Sequence, residues 1–443
     1  MLQFKIIEIY FIYFKNKKYM KDDSSFIEKS IDTINKFNNI VINTPLELNK
    51  RLSKKYNCSI YIKREDKQDV RSFKIRGALN KILSLSDDDK LKGVVCASAG
   101  NHAQGVAQSC NILKIKGDIF IPEQTPMQKV ERIKFFGGEY CTIYRIGKNF
   151  NDCLEQANKY CHENNKIFVH PYNDINTIIG QSTIAHEIFE KIIPDYIITT
   201  IGGGGLASGL SLYKKDYNLI NNTSCKLIGV EPDTCDSMNQ SIIKNEVVTL
   251  QVTDNFVDGA TVSRVGDLTF NICKDNLEKI IVVNTGKLCE TMLELYQNDG
   301  IITEPAGALS IASLDYIDKE IIKDKNIVCV LTGGNNDLLR YPEIIERSLE
   351  YKNLKHYYLI RFGQTPGQLK KFINSVLGEN DDICRFEYIK KTNKEFGDVL
   401  IGIEVEDPKN VIKINYELTK NNFDFIKLNK DNPESALLYN YII

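Results

Sequence analysis

The sequence predicts an α/β protein of doubly wound parallel sheets followed by a smaller α+β unit, and three observations carry that prediction. From Ser59 onward, short β-branched runs alternate with segments of helical period, the pattern of parallel βαβ units. Glycine-bearing turns follow several of these runs, at residues 98–102, 202–206 and 332–335, where the ligands of such sheets bind. After about Tyr351 the order changes to βαββαβ, the ferredoxin-like arrangement.

Taken in order, residues 59–63 read as a strand, and Ile75, Ala78, Leu79 and Ile82 then share one helical face. Residues 93–98 form the next strand, followed by a helix whose apolar face is Ala103, Val106, Ala107 and Cys110. Further strands are expected at 118–121, 196–200, 226–230, 279–283 and 326–331. In the tail, a strand at 356–362 and a helix at 366–377 precede a strand pair at 383–391 and 399–406, a helix at 411–420 and a last strand at 424–428. The polar stretch 350–355 marks a hinge, so the expected organisation is an extension at 1–24, a main domain at 25–350 and a second at 351–443.

A length of 443 residues accommodates two or three domains. Shares of 42% hydrophobic and 26% charged residues lie near globular averages, which argues against disordered, collagen-like and membrane-embedded classes. With 57 basic and 58 acidic residues the formal net charge is −1, so nothing electrostatic points to a nucleic-acid or anionic-membrane partner. Twelve singly spread cysteines, without zinc-ribbon or dithiol spacing, read as reduced thiols of a cytoplasmic protein. The first apolar stretch, residues 6–14, contains Glu8 and is too short to span a bilayer. Residues 1–20 hold no Arg and no Ser, which argues against a transit peptide, and Met1 and Met20 are both candidate starts.

Ser72-Phe73-Lys74-Ile75-Arg76 places a lysine at the start of a helix beyond a polar loop. The positive end of a helix lowers the pKa of an amine placed there, and such an amine forms Schiff bases. Taken alone, Lys74 reads more simply as a solvated surface lysine. Ser98-Ala99-Gly100-Asn101-His102 follows a strand and opens a helix, so its N–H groups suit a carboxylate, and Asn101 offers an amide to a phenolate oxygen. The other reading is a tight turn with Asn101 as N-cap and His102 structural.

Gly202, Gly203, Gly204 and Gly205 lead through Leu206 into a helix, and four consecutive glycines let the backbone wrap an anion, making a phosphate cup. The same letters satisfy G-x-G-x-x-A through Gly202, Gly204 and Ala207, with Glu231 ending the next strand, so a dinucleotide fingerprint competes. The missing P-loop lysine argues against an NTPase. Thr332 ends the last strand of the main domain, where a hydroxyl could hydrogen-bond a pyridine nitrogen without protonating it, although taken alone it reads as a Thr at a glycine-rich turn. A neutral ring of that kind favours elimination of a β-substituent over transamination.

Together with Asn43-Thr44-Pro45-Leu46, Lys63-Arg64-Glu65-Asp66, Asp258-Gly259-Ala260 and Glu304-Pro305-Ala306-Gly307-Ala308, these segments resemble the serine/threonine dehydratases. Those are pyridoxal-phosphate enzymes of the tryptophan-synthase-like fold, fold type II, and the resemblance runs from about Asn43 to Asn336. It implies that Lys74 is the Schiff-base lysine and general base and that Phe73 stacks near the cofactor ring. Asn101 then binds the ring oxygen, and Gly202, Gly203, Gly204, Gly205 and Leu206 hold the phosphate. Thr332 matches the ring-nitrogen position, where the family usually has Ser, so the hydroxyl is kept and a methyl added. Ser98 and Asn101 are candidates for the substrate carboxylate.

The tail, with Phe362, Pro366, Gly367 and Leu369 and then residues 382–388, resembles the ACT-like regulatory domain of short biosynthetic threonine dehydratases, or threonine ammonia-lyases. The resemblance implies conversion of threonine to 2-oxobutanoate and ammonia, the first step of isoleucine biosynthesis, with serine as a second candidate substrate. It also implies a homo-oligomer, a homotetramer, regulated by isoleucine bound around Gln364 to Leu369.

Serine racemase is the nearest rival, but racemisation needs a second acid/base, and that enzyme carries a Ser where this chain has Ala99. Glu231, Asp233 and Asp236 do not reproduce its divalent-metal spacing and are read as a solvated loop, so no metal is expected. A non-catalytic amino-acid sensor is the alternative from another class.

Overall fold

The computed structural model describes residues 24–252, 254–389, 394–429 and 433–442. The extension expected at 1–24 lies almost wholly outside the described residues, as do the end of the strand expected at 383–391 and both candidate starts. Two compact units emerge: one comprises the described residues up to Val283 together with Thr303–Asn335, the other Asn284–Ile302 with the described residues from Asn336. This division puts residues 284–302 and 336–350, expected in the main domain, with the tail.

The first unit holds strands β1 (Leu46–Leu48), β2 (Ser59–Arg64), β3 (Val94–Ala97), β4 (Gly117–Ile121), β5 (Cys141–Arg145), β6 (Ile167–Phe168), β7 (Tyr196–Thr200), β8 (Lys226–Pro232), β9 (Lys279–Val283) and β10 (Asn326–Leu331). They form a six-stranded sheet ordered β1-β2-β10-β7-β8-β9 and a four-stranded sheet ordered β5-β4-β3-β6. All pairs are parallel except β1 with β2. Strands covered on both faces read as continuous apolar runs rather than alternating ones, and every residue of β3 and β4 is buried.

Because β10 lies between β2 and β7, the turns that follow β10 and β7 emerge side by side at one carboxyl edge. Three helices then frame that edge: Lys74–Leu83, Asn101–Leu113 and Gly205–Asn221. The helix bearing Lys74 is pressed against helix Ile175–Phe189 at Gly180, where any Cβ would lie 2.4 Å from the Arg76 carbonyl oxygen.

In the second unit, strands β11 (Lys355–Gly363), β12 (Asp382–Tyr388), β13 (Phe396–Glu404) and β14 (Asp424–Leu428) form an antiparallel sheet ordered β12-β13-β11-β14. Helices Gln368–Val376 and Asn410–Lys420 complete the expected βαββαβ order. Alternation along β11 sends Tyr358, Ile360 and Phe362 into a core with Phe372, Ile414 and Leu418. Tyr357 and Leu359 face the other way and pack with Leu438 and Tyr439 of a last helix, Pro433–Ile442, which sequence reading did not anticipate. Glu346 of helix Tyr341–Tyr351 accepts hydrogen bonds from Tyr357 Oη and Lys355 Nζ, each at 2.7 Å, so this helix is tied to the sheet beyond the expected hinge.

Among the described residues, which include all twelve cysteines, there is no disulfide, and only Cys141 and Cys384 are not buried. Among the described residues no helix is long and apolar enough to cross a membrane.

Candidate active site

Lys74 is the first residue of its helix, where the backbone N–H groups have no intrahelical partner. Nζ lies 5.0 Å from the centre of the Phe73 ring, and its hydrogen bond among the described residues goes to the Pro171 carbonyl at 3.3 Å. Burial pulls the Lys74 pKa down to about 8, opposed by the nearby Glu304 carboxylate.

The segment carrying Lys74 is stitched to the end of β10. Phe73 N–H donates to the Thr332 carbonyl at 3.2 Å, Ser72 bridges Gly333, and Gly334 N–H donates to the Arg71 carbonyl at 2.9 Å. The Thr332 hydroxyl donates to the Ala306 carbonyl at 3.2 Å, an acceptor also used by the Thr200 hydroxyl at 2.7 Å. Thr200 ends β7, with only Ile201 between it and the glycine turn, so one carbonyl joins the ends of β7 and β10.

Gly204 has φ +90° and caps helix Gly205–Asn221. Its ideal Cβ would lie 2.7 Å from Met238 Cε, and one on Gly203 would lie 2.2 Å from the Tyr172 ring. The run of glycine is therefore required by close neighbours as well as by backbone conformation. Thr269 donates from its hydroxyl to the Gly203 carbonyl at 2.6 Å, fixing the turn from behind.

Asn101 donates from Nδ2 to Glu304 Oε1 at 2.7 Å and accepts at Oδ1 from Asn335 Nδ2 at 2.7 Å. The N-cap reading is corrected: Gly100 caps this helix and Asn101 is its first residue, which turns the Asn101 side chain away from its own backbone. Ser98 Oγ accepts from Gly100 N–H at 3.2 Å. His102 is buried with Nε2 at 2.8 Å from the Val169 carbonyl oxygen. Burial pushes the Glu304 carboxyl up to about 7, helped by Asp258 and opposed by the Asn101 hydrogen bond.

Glu231 is also corrected, because it is fully buried rather than part of a solvated loop. Its carboxylate accepts the N–H groups of Met238 at 2.9 Å and Asn239 at 2.8 Å, and is thereby committed to the start of helix Ser237–Lys244. Burial pushes its pKa up to about 8 against these two hydrogen bonds.

Residues 38–333 match a family model described as pyridoxal-phosphate dependent enzyme. The chain belongs to the pyridoxal-phosphate dependent enzymes. Residues 346–438 match a second model, the C-terminal regulatory domain of threonine dehydratase. Among curated proteins, the "L-threonine dehydratase biosynthetic IlvA" of Staphylococcus aureus is 46% identical over 410 residues, covering 91% of this chain and 95% of its own. That of Halalkalibacterium halodurans is 47% identical over 401 residues, covering 90% and 95%. Among solved structures, the processed form of threonine deaminase isoform 2 from Solanum lycopersicum aligns at 33% identity with a TM-score of 0.69 over 75% of this chain and 96% of that one. Serine racemase from Dictyostelium discoideum aligns at 28% identity with a TM-score of 0.64 over 71% and 99%.

The residues at the carboxyl edge fit a pyridoxal phosphate. A buried amine with a lowered pKa, a glycine-capped helix start and a strand-end hydroxyl belong to one hydrogen-bonded assembly. Sequence reasoning gave no role to Glu304 or Asn335, although both sit in motifs that it singled out. Tyr172, Thr200 and Thr269 carry no local signal, since only folding brings them to the glycine turn.

Proposed function

We propose that this pyridoxal-phosphate enzyme is the threonine dehydratase of isoleucine biosynthesis, converting L-threonine to 2-oxobutanoate and ammonia. One observation carries the reading: the catalytic match and the threonine-dehydratase regulatory match occur in tandem on one chain. Incubation of the purified chain with threonine, followed by assay of 2-oxobutanoate, tests it. Serine racemisation without oxo-acid release would overturn it in favour of a racemase.

In this reading Lys74 holds the cofactor through Nζ, with Phe73 beside the ring. Gly202, Gly203, Gly204, Gly205 and Leu206 offer N–H groups to its phosphate at a positive helix end. Asn101 offers an amide N–H to the ring oxygen, and Thr332 would turn its hydroxyl hydrogen from the Ala306 carbonyl to the ring nitrogen. Bound pyridoxal phosphate supplies an electron sink for charge left at the substrate Cα. Ser98 and the backbone N–H of Asn101, at the start of its helix, orient the threonine carboxylate. Lys74 Nζ, when not bound to the cofactor, would receive the Cα proton, a role suited to an amine whose proton is already weakly held. Serine, lacking only the γ-methyl, is a second substrate.

Covalent capture of added cofactor requires Lys74 without its proton. With its pKa near 8, the capture rate is expected to rise with pH through a midpoint near 8, followed by stopped-flow absorbance. A midpoint above about 10, the range of an ordinary lysine, would count against the buried amine.

The proposal extends to a catalytic domain at 25–350 and an ACT-like regulatory domain at 351–443, in a cytoplasmic homotetramer inhibited by isoleucine. The effector region, Gln364 to Leu369, ends on helix Gln368–Val376, whose cap Gly367 has φ +93° and nothing within 4 Å of an added Cβ. A β-branched residue is strained at that φ. Gly367→Val is therefore expected to weaken inhibition by isoleucine while threonine turnover without effector stays at the parent level, read as an inhibition curve. This variant is preferable to ending the chain near Glu350, which would remove the Lys355 and Tyr357 partners of Glu346.

A further inference from the structure

Asn101, Glu304 and Asn335 form a chain of side chains whose polarity is set from one end. The Val70 carbonyl only accepts, and Asn335 Nδ2 lies 2.7 Å from it, so the NH2 end of Asn335 faces inward. The same Nδ2 lies 2.7 Å from the Asn101 amide, which must then present its oxygen. Asn101 Nδ2 is thereby turned to Glu304 Oε1 at 2.7 Å, an acceptor. Both hydrogens of Asn335 Nδ2 and the Asn101 oxygen are spent, and Asn101 keeps one N–H to give. Reversing the Asn101 amide would set nitrogen against nitrogen at Asn335 and, while Glu304 is ionised, oxygen against oxygen at Glu304, both at part-buried contacts.

The backbone reinforces this arrangement. Asn335 closes the turn that begins with Thr332, and that turn is stitched to the Lys74 segment through Phe73 and Arg71. Glu304 N–H donates to the Gly333 carbonyl at 3.2 Å, and Glu304 Oε1 lies 2.3 Å from where a Gly333 Cβ would stand. Both ends of the chain are thus anchored to the turn after β10, and Asn101 is held between them.

We propose that Asn335 is a positioning residue for the cofactor's ring oxygen, fixing the Asn101 amide so that its remaining N–H points to that oxygen. The proposal rests on the reading that Asn101 serves the ring oxygen. An N–H held there favours the unprotonated oxygen, and freeing the amide to turn over presents a carbonyl instead and lets the oxygen take a proton more readily.

The test is a pH titration of the visible absorption of the cofactor-loaded protein, comparing the parent with Asn101→Ala, Asn335→Ala and the double variant. Loss of a hydrogen bond to a charged oxygen corresponds to about tenfold or more in proton affinity, so each single variant is expected to move the ring-oxygen midpoint upward by about one pH unit or more. Because Asn335 acts through Asn101, the double variant is expected to match Asn101→Ala rather than sum the two shifts. A titration of Asn335→Ala that superimposes on the parent's, while Asn101→Ala shifts, would overturn the positioning role and leave the Asn101 reading standing. An unshifted Asn101→Ala would overturn the reading itself and the proposal with it. Fully additive shifts would mean that Asn335 acts by another route. If Asn335→Ala does not load cofactor, the near-isosteric Asn335→Leu carries the same test, since it removes both donated hydrogens without adding a charge.

Discussion

Lys74→Ala is expected to lower threonine turnover by several orders of magnitude, because cofactor anchoring and Cα proton transfer are assigned to the same nitrogen. Lys74 opens a helix, and alanine is the best helix former, so the fold is expected to survive the substitution. The variant should bind pyridoxal phosphate only reversibly, and borohydride should fix no label to the chain. Steady-state assay of 2-oxobutanoate, with peptide mapping after reduction, checks both. Retention of more than about a tenth of parent activity would sink the assignment.

Arg76→Met is expected to give the largest loss of stability, about 3–5 kcal/mol, read as a drop in the unfolding midpoint. Arg76 is fully buried two residues beyond Lys74 and donates to Glu65 at 2.8 Å and to Glu187 at 2.6 Å. Lys63, also buried, donates to Glu187 and to the Thr44 carbonyl, and the Thr44 hydroxyl donates to Glu65 at 2.6 Å. Two cations and two anions thus balance out of water, and removing one cation leaves an uncompensated carboxylate. Arg76→Lys should cost less in charge but lose the planar fork that grips both carboxylates. The partly exposed Lys55–Asp315 pair supplies the contrast, since Lys55→Met is expected to cost about 1 kcal/mol or less. A loss of that size for Arg76→Met would refute the buried network as a prop for the lysine-bearing helix.

Much of the architecture was legible because it rests on local periodicity. The largely apolar runs at 196–200 and 326–331 coincide with β7 and β10, since a strand covered on both faces carries no charged residue there. The tail's βαββαβ order was legible from alternating strands and amphipathic helices. Weaker signals failed: β1, β5 and β6 are short or partly exposed, and β6 spans only two residues. The last helix escaped notice as well, its place on the sheet being given by Tyr357 and Leu359 on β11 rather than by a strong pattern of its own.

The sequence by itself determined the kinds of groups this site has to work with: an amine at a helix start, glycines after a strand, an amide and a hydroxyl at strand ends. Those depend on short-range order, where backbone geometry ties residue type to position. Only the tertiary structure decided how these groups are oriented. That the Asn101 amide faces Glu304 with its nitrogen follows from Val70 and Asn335, residues far apart in the chain. That Glu231 turns inward to backbone N–H groups, instead of to solvent or a ribose, follows from the start of the next helix. Hydrogen-bond polarity and burial depend on which distant atoms share a volume, and a linear pattern does not encode that.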